Sequence, residues 1–151
     1  MKPLIVLIVT FGLSLVLLKV FTGSYQLSTA GRIAMSAMLV LTAIGHFKFT
    51  KGMVMMMPDI FPYKTSIVYL TGILEIAAAA GLLITSLQTT TAWLLIVFFT
   101  VLLPANINAA IKGIDFEKAS TSGSGIRYLY FRIPLQIFFI AWVYFFAIFK
   151  G

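Results

Sequence analysis

Residues Ser66–Thr85, SIVYLTGILEIAAAAGLLIT, form an unbroken apolar run with one carboxylate, Glu75, near its middle. The run has the length of a helix crossing a hydrocarbon core of about 30 Å, and Glu75 lies roughly 14 Å in from the Ser66 end. An ionisable group at that depth is costly unless it faces a bundle interior, a polar cavity or a partner. Glu75 is therefore the first candidate for a ligand or proton site. The plainer alternative is a neutral carboxyl that hydrogen-bonds two helices together.

The rest of the chain fits the same setting. Of its 151 residues, 61% are hydrophobic and only 10% charged, well under the roughly one-quarter charged residues of a soluble domain. The expected fold class is all-α: an integral membrane helical bundle of five transmembrane helices in a single domain over residues 1–151. Four other apolar runs, Pro3–Phe21, Ala30–Phe49, Ala92–Ile111 and Ile126–Phe149, supply the remaining crossings. The first has the positive start and apolar core of a signal peptide, but Gly23-Ser24-Tyr25 is a weak cleavage site, and a retained helix is expected. It reads as an addition to a bundle made by the other four.

Cysteine is absent and histidine occurs once, at His46. This excludes disulfides and a zinc site of the usual Cys/His type within one chain. No intrinsic cofactor is expected, and electrons for any redox step would come from a bound quinone or a partner subunit. The formal charge of +7 borders apolar segments and forms no basic stripe, which points to lipid headgroups and away from nucleic acid.

Thr50–Thr65, TKGMVMMMPDIFPYKT, is broken by Pro58 and Pro62 yet rich in Met, Phe and Ile. It reads as an interfacial or shallow re-entrant segment, its methionines packing and not binding copper. Lys112–Gly125 is hydrophilic and ends in STSGSG, a flexible connection by composition. Five crossings put Lys2, Lys48, Lys51, Lys64, Lys112, Lys118, Arg127 and Arg132 on one side and Lys19, Arg32 and Lys150 on the other. That bias predicts a multi-pass protein of the cell inner membrane with its N-terminus cytoplasmic and its C-terminus outside.

With this topology, polar groups from four helices reach the cytoplasmic half of the bundle. His46 ends the second helix, Tyr69 and Glu75 lie on the third, Asn106 and Asn108 end the fourth, and Arg132 and Gln136 sit one turn apart on the last. Arg132 is the expected charge partner of Glu75 or of an anion, and His46 the expected proton-exchanging group. The amides can bind a quinone carbonyl, a phenolic oxygen or a headgroup. Pro104 is expected to kink its helix and free a carbonyl nearby. Arg32 is expected at the outer end, away from this cluster, and the reach of Asp59 is open.

Five units in order carry a family resemblance: Ile44-Gly45-His46-Phe47, Met57-Pro58-Asp59-Ile60-Phe61-Pro62, Thr71-Gly72-Ile73-Leu74-Glu75-Ile76, Pro104-Ala105-Asn106-Ile107 and Arg132-Ile133-Pro134-Leu135-Gln136. Over about Arg32 to Tyr144 the chain resembles the DoxX family of small bacterial membrane proteins, departing from it in the spacing of the histidine unit and in the basic Lys48 and Lys51. The resemblance implies a four-helix membrane core, here with an added N-terminal helix. Some such proteins are associated with thiosulfate:quinone oxidoreductase or terminal quinol oxidase complexes, others with methylamine utilisation or oxidative-stress defence.

The leading expectation is a DoxX-like accessory or membrane subunit that binds a quinone-like or other amphiphilic small molecule among these polar residues. The alternatives are a structural or assembly subunit with no ligand of its own and a small transporter. Its partners would be membrane lipids, a membrane or redox partner subunit, or a second copy of the chain. Whether it is an enzyme is open.

Overall fold

The structure, a computed structural model, describes residues 2–123 and 125–150. The described residues form six helices and no strand: α1 (Lys2–Thr22), α2 (Leu27–Lys48), α3 (Thr50–Met56), α4 (Lys64–Leu83), α5 (Gln88–Ile111) and α6 (Arg127–Val143), the last continuing as a π-helical segment over Tyr144–Phe149. Five are long and apolar enough to cross a membrane: α1, α2, α4, α5 and the continuous helix Arg127–Phe149.

In α4 small or polar residues face inward and large apolar residues face outward. In α4 the buried positions are Val68, Gly72, Glu75, Ala79, Gly81 and Leu82, a helical stripe of mostly small or polar residues. Leu70, Ile73, Leu74, Ile76 and Leu83 point outward, each at least 47% exposed. In water each such Leu or Ile would forgo about 1.5–3 kcal/mol of burial. Small residues on the inner stripe let helices approach closely, which is how helices associate in a medium as apolar as their own side chains.

That closeness is explicit where α4 crosses α2. A Cβ on Gly72 would lie 2.9 Å from Cβ of His46 and 3.2 Å from the Phe47 ring, so only glycine fits. Further along the crossing the Ser36 hydroxyl donates to the Ala79 carbonyl at 2.9 Å. The central core is formed by Leu7, Met35, Met38, Leu39, Leu82, Leu95, Leu135, Phe139 and their neighbours. α1 lies along α2 with Leu7 fully buried, and its Phe11 ring packs on Trp142 and Phe146 at 5.0 and 5.3 Å.

Two segments are more ordered than their composition suggests. The broken reading of Thr50–Thr65 holds for its second half only, because Thr50–Met56 is helical and the chain leaves the helix before Pro58. Gly52 permits this turn of helix to lie against the backbone of Phe116. The Lys112–Gly125 connection is pinned by a β-bridge between Asp115 and Ser120, and the Asp115 carboxylate accepts the backbone N–H groups of Glu117 and Lys118. Ser124, within the STSGSG run, lies outside the described residues.

Ion pairs gather the connections at one end of the bundle. Lys2 pairs with Glu117 at 2.8 Å, and Asp59 pairs with both Lys64 and Lys112 at 2.7 and 2.9 Å. Those two lysines hold the exposed Asp59 carboxyl at about 2, chiefly through the hydrogen bond from Lys64 and then that from Lys112. At the opposite end the Ser28 hydroxyl donates to the Phe146 carbonyl at 2.7 Å, seating the π-helical segment on the start of α2.

Candidate functional site

The crossing of α2 and α4 brings His46 and Glu75 together. The chain turns from α2 into α3 immediately after His46, and the Thr50 hydroxyl lies 2.8 Å from the His46 carbonyl and 3.0 Å from that of Phe47, satisfying carbonyls left open at the end of α2. Gly72 lets α4 approach the root of the His46 side chain closely. The residue on either side of it in the helical register then addresses each ring nitrogen: Thr71 Oγ1 lies 3.0 Å from Nδ1, and Glu75 Oε2 lies 3.6 Å from Nε2.

The Thr71 hydroxyl lies within hydrogen-bonding distance of both the Val68 carbonyl, at 2.8 Å, and His46 Nδ1, so it holds the ring in either tautomer. Nε2 then faces Glu75. The gap between Nε2 and Oε2 is complementary when it contains one proton, as a carboxylic acid facing an imidazole or as a carboxylate facing an imidazolium. Glu75 is 4% exposed, and Oε2 is buried with no hydrogen bond at this separation. A buried acceptor in that condition costs about 1–3 kcal/mol until something completes it.

Phe47 and Tyr69 form the outward rim of this pair. Their rings stack with centroids 5.9 Å apart, each 43% exposed, and the Phe47 ring lies over Gly72. Tyr69 thus presents an aromatic face outward, and no hydrogen bond joins it to Glu75 among the described residues.

The other expected residues assemble elsewhere. Arg132 Nε donates to Asn106 Oδ1 at 3.2 Å, Asn106 Nδ2 donates to Gln136 Oε1 at 3.1 Å, and Gln136 Nε2 donates to the Phe99 carbonyl. Pro104 lies within α5 and removes the N–H that would serve the Thr100 carbonyl, next to the carbonyl that Gln136 reaches. Arg132 is accordingly a partner of Asn106 and not of Glu75. Asn108 points away from both groups and donates to the Met56 carbonyl at 2.8 Å, closing the end of α3. The single cluster expected from depth is thus a His46–Thr71–Glu75 triad between α2 and α4, an Arg132–Asn106–Gln136 chain between α5 and α6, and a separate tether.

Thr71 was not among the expected site residues, although it precedes Glu75 by four positions and so shares its helix face. Asp59 clasps the start of α4 to the end of α5 through its two lysines. Arg32 lies in a cleft with Met35, Leu82, Trp142 and Phe146; its Nη2 is 3.5 Å from Thr29 Oγ1, and Nε and Nη1 are buried without partners. No group of three His, Asp or Glu side chains able to hold a metal occurs among the described residues.

No curated protein and no solved structure matches the chain. A family match covers residues 35–147, from the middle of α2 to the π-helical segment, and so takes in His46, Thr71, Gly72, Glu75, Asn106, Arg132 and Gln136. The chain belongs to the family described as a domain of unknown function, DUF8561.

Proposed function

We propose that this chain is a multi-pass protein of the bacterial inner membrane that binds the polar head of a quinone-like amphiphile at the His46–Glu75 pair and exchanges a proton with it. The observation that carries the reading is the open hydrogen-bond arrangement of the pair: Nδ1 is anchored by Thr71, Nε2 faces a buried carboxyl, and Glu75 Oε2 lacks a partner. A ligand oxygen is the group that such a pair recognises, and the exposed faces of Phe47 and Tyr69 offer a planar ring a place to stack. The DoxX-like order of motifs points the same way, with electrons supplied by the ligand or by a redox partner subunit. The ion-paired end, with the N-terminus, would face the cytoplasm and the C-terminus the outside, a reading supported by the eight-to-three distribution of positive charges.

One observation favours a second reading, a structural or assembly subunit. The Arg132–Asn106–Gln136 chain satisfies itself and the Phe99 carbonyl, as a network that only sets helix register would.

Gentle extraction followed by identification of co-purified quinones and lipids tests the proposal in wild type, Glu75→Gln and Arg132→Gln, all monodisperse. The expected result is a quinone in the wild type, its loss in Glu75→Gln, and its retention in Arg132→Gln. Equal occupancy in all three, or no specific occupant in the wild type, rejects the ligand site in favour of the structural reading.

A further inference from the structure

A groove of about 310 Å³ lies between α1 and α6, lined by no residue of α2 or α4. Leu4 forms one wall, and Tyr130, Phe131, Pro134, Leu135 and Phe138 form the other. Further along the same two helices Phe11 packs on Trp142 and Phe146. Its sides are apolar, and Tyr130, 81% exposed, leaves it open laterally.

Arg127 stands at the other end. It precedes Tyr130 and Phe131 by three and four residues and Pro134 and Phe138 by seven and eleven, so all five share one face of α6. Arg127 is exposed and forms no ion pair among the described residues, whereas Lys2, near Leu4, is paired with Glu117. From Arg127 to Phe138 the helix rises about 16 Å. That is close to half of the roughly 30 Å hydrocarbon core, the depth of one leaflet.

We propose that the α1–α6 groove holds one acyl chain of an anionic phospholipid whose phosphate is bound by Arg127. The guanidinium matches a phosphate with two parallel hydrogen bonds, and the groove gives the chain apolar walls along a single leaflet. A partner helix, about 10–12 Å across, is too wide for a slot of this volume. The aromatic and proline side chains give a rigid wall, so a chain seated there loses freedom against fixed surface and not against other mobile chains.

The test is native mass spectrometry of the full chain released from bilayers of equimolar phosphatidylglycerol and phosphatidylcholine. The wild type is expected to retain one lipid, with phosphatidylglycerol preferred. Arg127→Gln, at an exposed position, should reduce that preference about fivefold, as expected for one juxtamembrane cation. Leu4→Trp fills the groove and should lower occupancy by either lipid, while Val101→Trp, on the exposed face of α5, should leave it unchanged. An unchanged lipid preference in Arg127→Gln overturns the proposal, and this arm stands even if Leu4→Trp does not fold. Occupancy by lipid that a folded Leu4→Trp leaves intact overturns it too, as does a dimer or a bound quinone that Leu4→Trp abolishes in place of the lipid.

Discussion

His46 Nε2 lies 3.6 Å from Glu75 Oε2 while Nδ1, on the other side of the ring, is held by Thr71. The two nitrogens thus have different roles: one orients the ring and the other faces the carboxyl. Removing the orienting group should therefore act on the proposed ligand site without removing either of its members. We expect Thr71→Val, which keeps the shape and deletes the hydroxyl, to leave the helices assembled and to reduce quinone occupancy several-fold. The hydrogen bond lost is worth about 0.5–1.5 kcal/mol. Measured binding equal to that of the wild type would show that the ring needs no such anchor.

The approach of α2 to α4 rests on Gly72. Glycine to alanine in a helix interior normally gains up to about 1 kcal/mol. At this position the new methyl would sit 2.9 Å from His46 Cβ, an atom fixed to its own backbone and not the end of a flexible chain. Overpacking of that kind costs about 1–3 kcal/mol. Gly72→Ala is therefore expected to lower the melting temperature in matched micelles, the reverse of the propensity effect, and a rise would refute the close packing.

How far the site could be read from the sequence depended on which helical coordinate was needed. Depth along each helix was readable, because a charge or amide interrupting an apolar run marks its own level, and His46 and Glu75 do meet. Rotation about the helix axis was the missing half. At about 100° per residue Tyr69 lies 240° from Glu75, on another face, and Asn106 and Asn108 are 200° apart and cannot share a partner. The same count places Thr71 only 40° from Glu75 and Arg132 40° from Gln136, as observed. Pairing between helices was not readable from either coordinate: that Arg132 finds Asn106 and not Glu75 depends on which faces α5 and α6 turn to each other. The five long helices were legible to within a few residues, since a run of apolar residues states its own length. The helix at Thr50–Met56 was masked by the two prolines that follow it.

Asp59 gives a pH dependence with a definite sign. Its carboxyl is held at about 2, below the ordinary 3.8, by Lys64 first and by Lys112. A depressed folded-state value means that its contribution is complete above 3.8 and is lost as the pH falls from 3.8 towards about 2. In an acid titration of thermal stability, Asp59→Asn should flatten that part of the curve. Both lysines are also tied to elements that carry the core, so the loss should appear first as protease access at the connection between α3 and α4. A titration identical in wild type and Asp59→Asn would show that the clasp contributes nothing.

Arg32 provides the opposite kind of test, a charge whose removal should stabilise. Its Nε and Nη1 are buried without partners, and its one contact, to Thr29, is at the limit of a hydrogen bond. Among the described residues there are four acidic side chains, and none is available to it: Asp59 and Glu117 are ion-paired at the opposite end, Asp115 caps its own turn there, and Glu75 faces His46. A partly buried cation without a counter-charge is a net cost, whereas its aliphatic stem lies in a cleft that Met35 and Leu82 also line. Arg32→Met keeps much of that stem and discards the charge. We expect it to raise stability by about 1 kcal/mol or more in neutral detergent, read as a higher melting temperature. Lys19→Met, at an exposed cation of the same end, is the control and should change little. A fall in stability for Arg32→Met beyond that control would mean that the guanidinium is matched by an anion from outside the chain, and the unpaired-charge account would then be abandoned.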